Sequence, residues 1–117
     1  MFVSKEFSFD SAHFLTKYHG KCERLHGHTY RLRVTVEGPI QEDGMVMDFV
    51  LLKKLVKDRV VDRYDHQHLN DFFENPSAEL IAQRIWEDLV EDIAAPTRLH
   101  EVVLWETPDS FVTYRGN

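Results

Sequence analysis

The most constraining feature of the chain is a strict alternation over residues 26–37, HGHTYRLRVTVE. Successive side chains of a β-strand point to opposite faces of its sheet, so a period of two indicates a strand with one buried face. One face carries Tyr30, Leu32, Val34 and Val36, and the other carries Thr29, Arg31, Arg33, Thr35 and Glu37. The pattern predicts a strand over 26–37 whose apolar face meets the core.

Three further strands are predicted. Residues 2–13 place Phe9 and His13 on one face of an extended segment. After the polar loop that follows, the next strands come only near the end of the chain. The segments 101–107 and 110–115 flank a Pro-Asp pair and predict a closing hairpin.

Two helices are predicted between the strand pairs. Asp48 is a suitable N-cap for a helix over 49–64, and its apolar stripe consists of Phe49, Leu52, Leu55, Val56 and Val60. Asn75 and Pro76 read as the cap and first turn of a second helix that ends near Ile93. The order β-β-α-α-β-β predicts an α+β fold: a four-stranded antiparallel sheet with two helices on one face.

Composition limits the class of protein. With 117 residues the chain is expected to form one domain over 1–117. A net charge of −6 argues against nucleic-acid binding, because such proteins usually present a basic surface. The single cysteine excludes an internal disulfide and fits a reducing compartment. Since no signal peptide or membrane-length apolar run is visible, we expect a cytoplasmic protein that does not contact a membrane.

The cluster CERLHGH at residues 22–28 indicates a metal site. His26 and His28 point to the same side of one strand, and pairing of the first two strands would bring His13 beside them. Three histidines without an evident fourth ligand are typical of a catalytic zinc site with an open position. Cys22 is either a fourth ligand or a base or nucleophile activated by the nearby cation. Histidines without any metal remain the alternative reading of so short a motif.

Seven short motifs, in order, give the chain its resemblance to a known family. They are FSFDSAH, CERLHGH, DF, DHQHLND, ENPSAE, WET and YRG, and they extend from Phe7 to Gly116. In this the chain resembles the 6-pyruvoyl-tetrahydropterin synthase family, and most closely its bacterial 6-carboxy-tetrahydropterin synthase branch of queuosine biosynthesis. The resemblance implies the T-fold, in which trimers close their sheets into a barrel and two trimers commonly stack as a homohexamer.

The resemblance also implies roles for individual residues. Cys22 matches the catalytic cysteine, and Asp65 and His66 match a proton relay that a neighbouring subunit delivers. Glu106 matches the glutamate that anchors the pterin, and Thr107 beside it is expected to contact the substrate. The residues that match the zinc ligands are His13, His26 and His28. One departure is His68, which stands where family members often have an aromatic residue.

The implied activity is that of a zinc-dependent carbon–carbon lyase. Its substrate is 7,8-dihydroneopterin triphosphate, and its products are 6-carboxy-5,6,7,8-tetrahydropterin, acetaldehyde and triphosphate. Two alternatives stay open: the pyruvoyl-forming synthase, which eliminates triphosphate, and a non-catalytic zinc- or pterin-binding module. For the triphosphate the candidate cations are Lys21, Arg24 and Arg115.

Overall fold

Four antiparallel strands and one short parallel strand form a sheet in the computed structural model, which describes residues 1–17, 20 and 24–117. The strands are β1 (Phe2–His13), β2 (His26–Glu37), β3 (Gln67–His68), β4 (Arg98–Thr107) and β5 (Ser110–Tyr114). Their spatial order is β3-β1-β2-β4-β5. The four antiparallel strands confirm the expectation. The strand β3, which pairs two residues in parallel with β1, was not predicted.

Two helical segments cover one face of the sheet. The first comprises α1 (Phe49–Val56), a π-helical turn (Lys57–Val61) and α2 (Asp62–Tyr64). The second is α3 (Ala78–Leu89), extended by a 3-10 turn (Val90–Asp92). A further 3-10 turn (Leu69–Asp71) follows β3. None of the helices in the described part of the chain is long and apolar enough to span a membrane.

One helix cap matches the expectation and the other does not. The Asp48 carboxylate accepts the backbone N–H of Val50 at 2.8 Å, as predicted. The second helix is capped by Ser77, not by Asn75, because the Asn75 side chain accepts the backbone N–H of Thr16 at 3.0 Å instead. The helix therefore begins at Ala78, two residues later than predicted for an Asn75 cap.

The core lies between the helices and the apolar face of the sheet. All four apolar residues of β2 are fully buried there, together with Leu52, Val56 and Val60 of the first helical segment and Ile81, Ile85 and Leu89 of α3. Phe49 was expected in this stripe but is 56% exposed. The buried stripe starts one turn later, at Leu52, and the three residues before it are all exposed.

Within the described residues, the opposite face of the sheet carries no helix and has paired charges. Arg31 and Arg33 both contact the carboxylate of Glu6, at 3.3 and 3.2 Å. The guanidinium of Arg31 also lies over the ring of Trp105, 3.9 Å from its centroid. These contacts pair the two arginines of this face with an acidic and an aromatic side chain.

Candidate metal and substrate site

Three histidines meet where β1 ends and β2 begins. The strand register places His13 directly opposite His26, and His28 follows two residues later on the same face of β2. The Nε2 atoms of His13 and His26 are 3.0 Å apart. One ring nitrogen from each of the three residues lies within 4.8 Å of the other two. The structure thus brings together the predicted ligand set.

Hydrogen bonds orient two of these rings. The Nδ1 atom of His13 donates to the backbone carbonyl of Pro76 at 2.7 Å, and Nδ1 of His26 donates to the carbonyl of Arg24 at 2.7 Å. A carbonyl oxygen only accepts, so each ring carries its hydrogen on Nδ1 and presents an Nε2 lone pair. Backbone carbonyls commonly fix metal-binding histidines in this way.

The metal-facing nitrogen of the third histidine, His28, has no hydrogen-bond partner among the described residues. The Nε2 atom of His28 is buried and makes no hydrogen bond there. Burial lowers the pKa of His13 and of His28, which favours the neutral imidazole that binds metals. Three convergent nitrogens, one of them unsatisfied, fit a zinc ion held by histidines with room for a further ligand.

Glu106 reaches this cluster from the end of β4. Its Oε1 atom lies 3.4 Å from Nε2 of His13 and 3.8 Å from Nε2 of His28. The carboxylate also borders a cavity of about 460 Å³ whose walls include Arg31, Trp105 and Thr107. A substrate group in that cavity would therefore meet a carboxylate that adjoins the metal site.

Thr107 lies at the turn of the β4–β5 hairpin. Its hydroxyl donates to the carboxylate of Asp109 at 3.0 Å, and its side chain borders the same cavity as Glu106. The predicted substrate contact is thus sterically possible, and it stays a prediction.

Asp65 and His66 form a second polar group at the edge of the sheet. The Nδ1 atom of His66 lies 3.0 Å from Oδ2 of Asp65, and the other carboxylate oxygen accepts the backbone N–H of Asp10 at 2.9 Å. These contacts, led by the Asp10 N–H, lower the pKa of Asp65 and keep it ionised. His66 has a φ of 56° and is held by its own N–H, which donates to the carbonyl of Asp10 at 2.6 Å.

The predicted roles of the cysteine and of the candidate triphosphate-binding cations are not tested by the structure. Cys22 and Lys21 lie outside the described residues, so their predicted roles stay predictions. Arg24 contributes its backbone carbonyl to His26, and Arg115 is paired with Glu101 at 3.0 Å. Neither observation tests the assignment of these cations to a triphosphate.

Sequence reasoning missed two supporting groups. The Pro76 carbonyl orients His13, and the Asp10 backbone holds the Asp65–His66 pair. Pro76 lies in the motif ENPSAE and Asp10 in the motif FSFDSAH. Their contacts are made by backbone atoms, which every residue type has, so the residue pattern could not reveal them.

Comparison with known proteins decides the family. The model of the family described as 6-pyruvoyl tetrahydropterin synthase matches residues 2–117. The chain belongs to this family. It is 37% identical, over an alignment 139 positions long, to a Haemophilus influenzae protein named 6-carboxy-5,6,7,8-tetrahydropterin synthase. The alignment covers 97% of each chain. It is 43% identical over 119 residues to a Synechocystis protein of the same name, covering 96% of this chain and 91% of that one.

A solved structure from the same family confirms the fold. The 6-pyruvoyl tetrahydropterin synthase of Caenorhabditis elegans superposes with a TM-score of 0.89 at 31% identity, covering 100% of this chain and 96% of that chain. The sheet and helices described above are therefore the T-fold of the family, as the sequence motifs predicted.

Proposed function

We propose that this chain, acting as one cytoplasmic domain over 1–117, is a zinc-dependent carbon–carbon lyase. It converts 7,8-dihydroneopterin triphosphate to 6-carboxy-5,6,7,8-tetrahydropterin, with release of acetaldehyde and triphosphate. The observation that supports this most directly is the set of three converging ring nitrogens beside Glu106. The names of the two bacterial relatives favour the carboxy product.

His13, His26 and His28 would hold the zinc ion. When bound, zinc supplies a Lewis acid that makes C–H and O–H groups of a coordinated substrate more acidic. The chain contributes the fixed rings: Pro76 and Arg24 hold two of them through their carbonyls. Metal analysis tests the assignment, because a protein with His26→Ala and His28→Ala should lose its zinc. Full occupancy in that protein would contradict it.

Glu106 binds the pterin ring in this proposal. A pterin presents a ring N–H beside an amino group, and the two oxygens of one carboxylate can accept both hydrogens. The cavity next to Glu106, of about 460 Å³, is large enough for the ring of a small ligand. Thr107 would contact the substrate from the wall of that cavity.

Cys22, Asp65 and His66 move protons. The Cys22 thiolate would take a proton from the substrate, since a nearby cation lowers the pKa of a thiol in general. Asp65 accepts from Nδ1 of His66, so Nε2 of that ring is the atom left to exchange protons with the substrate or the thiol. The ring of His66 is 77% exposed in one chain, which leaves it open to a neighbour.

Assembly is part of the proposal. The outer edge of β5 and most of the outer edge of β1 have no strand partner in the described chain, because β3 pairs only with Ser11 and Ala12. Exposed strand edges favour pairing with another copy. We propose a trimer closed through these edges, or a dimer of trimers.

Product analysis tests the activity. The purified protein, loaded with zinc, is incubated with 7,8-dihydroneopterin triphosphate, and the products are identified by mass spectrometry. Acetaldehyde with 6-carboxy-5,6,7,8-tetrahydropterin supports the proposal. A pyruvoyl pterin without acetaldehyde would instead assign the pyruvoyl-forming synthase activity. That activity is the one in the name of the solved C. elegans structure. Zinc and pterin binding without turnover would assign a binding module.

A further inference from the structure

Hydrogen bonds among the described residues do not explain the position of the Glu106 carboxylate. Its Oε1 atom is 3.4 Å from Nε2 of His13 and 3.8 Å from Nε2 of His28, whereas N–H···O bonds are usually about 2.7–3.2 Å long. The Nδ1 atom of His13 already donates to Pro76, so its Nε2 has a lone pair and no hydrogen to offer. The Nε2 atom of His28 is buried without a hydrogen-bond partner among the described residues.

A carboxylate oxygen that faces imidazole lone pairs is repelled by them, and a cation between them turns the arrangement into a stabilising one. Ligand atoms about 2.0–2.1 Å from a tetrahedral zinc are about 3.3–3.4 Å from one another. The 3.4 Å from Glu106 to His13 matches that spacing. The 3.8 Å from Glu106 to His28 is longer, and the 3.0 Å from His13 to His26 is shorter. The Glu106 carboxylate thus lies at or near ligand spacing from two of the three histidines.

We propose that Glu106 is a fourth metal ligand in the substrate-free protein and that a pterin ring displaces it. The second half of this inference rests on the proposed function, in which the same carboxylate binds the ring. One carboxylate cannot keep its metal bond and give both oxygens to a ring. Ring binding therefore opens a coordination position beside the substrate, and metal and ring compete for Glu106.

The location of Glu106 suits such an exchange. It lies at the end of β4, next to the hairpin turn, and its side chain is 31% exposed while that of His13 is almost fully buried. It borders both the histidine cluster and the cavity that contains Thr107. Rotation of one side chain can therefore carry the carboxylate from the metal to the cavity without a change in the strands.

Zinc affinity without any substrate tests the first half. The dissociation constant is measured by competition with a chromophoric chelator for the parent, for Glu106→Gln and for Glu101→Gln, which makes the same change on the same strand away from the histidines. Glu106→Gln should weaken zinc binding by at least about 10-fold, since loss of even an outer-shell partner typically costs that much. Glu101→Gln should leave it unchanged. Equal affinities for the parent and Glu106→Gln would overturn the proposal.

The second half is tested with unsubstituted pterin, which has the ring donors but no side chain that could bind zinc. At a pterin concentration that saturates the parent, zinc should bind more weakly, because coupling between two ligands is reciprocal. Zinc affinity that does not change with pterin bound would overturn the exchange. A parent that binds no pterin would reject the ring assignment of the proposed function, while the zinc comparison above would still decide whether Glu106 is a ligand. Glu106→Ala repeats both measurements if Glu106→Gln does not fold.

Discussion

A test of shared sites follows from the place of the Asp65–His66 pair in the sheet. The pair adjoins β3, the outermost strand, whereas the histidine cluster lies between β1, β2 and the end of β4. If a site combines Cys22 of one chain with His66 of its neighbour, two inactive variants should restore activity when they assemble together. The perturbation is therefore a mixture of Cys22→Ala chains with His66→Ala chains.

The size of the effect can be worked out from this arrangement. Each chain supplies one Cys22 and one His66. In a random one-to-one mixture a shared site receives an intact Cys22 with probability one half and an intact His66 with probability one half. About a quarter of the sites should then be complete, so the mixture should regain about 25% of the parental rate in any cyclic oligomer. Mixing Cys22→Ala chains with chains that carry both changes should regain nothing.

The assay is product formation after unfolding and joint refolding, or after co-expression with two affinity tags that prove mixed oligomers. The alternative is a site within one chain, and the structure gives it a basis: His66 and His28 both border one cavity of about 520 Å³. A site of that kind regains no activity on mixing. Mixed oligomers with a rate no higher than the unmixed variants would therefore refute the shared site.

Three further predictions concern stability, measured by urea denaturation. Tyr64→Phe should cost about 1.5–3 kcal/mol, because the fully buried Tyr64 hydroxyl donates to the largely buried carboxylate of Asp88 at 3.0 Å; an unchanged midpoint would contradict this. Burial raises the pKa of Asp88 in the folded protein, so its carboxyl group stabilises the fold most below the ordinary carboxyl pKa. This stabilisation is lost as the pH rises from the ordinary pKa through the raised pKa of the folded protein. The free energy of unfolding of the parent, relative to that of Asp88→Asn, should therefore fall between these two pKa values. Gly116→Ala should destabilise more than Gly44→Ala: both have positive φ, but a Cβ at 116 would lie 2.5 Å from the Trp86 ring and one at 44 would meet nothing within 4 Å. Equal losses for the two alanines would contradict the clash.

The strand pattern predicted the histidine cluster because a period of two fixes both faces at once. All four apolar residues of β2 are fully buried, and His28 has the same parity. In β1 the parity of Phe9 placed His13 on the core side, where it is fully buried. A register slip of one residue would have exposed the whole apolar face, so burial restricts His13 to pairing with a core-facing residue of β2, which in the structure is His26.

Other parts of the site depend on contacts that a residue pattern does not contain. Asn75 is a suitable helix cap, yet its side chain accepts the backbone N–H of Thr16 instead. The Pro76 carbonyl accepts from Nδ1 of His13. The short strand β3 exists because the segment after α2 is bonded to the Asp10 backbone. The approach of Glu106 to the histidines depends on the β2–β4 register, which contains an irregularity at Thr35/Val36.

The end of β1 is where both groups of the proposed site are attached to the sheet. Asp10 and His13 have opposite parity, so one lies on the exposed, helix-free face and the other in the core. The Asp10 backbone holds Asp65 and His66 at the sheet edge, while His13 binds in the cluster on the other face. His66 and His28 of one chain border the same cavity, so the strand alone does not decide between a site within one chain and a shared site. The shared site requires a neighbouring copy that extends the sheet at its edge and presents its own His66 to the cluster, and only that arrangement gives the quarter-rate rescue.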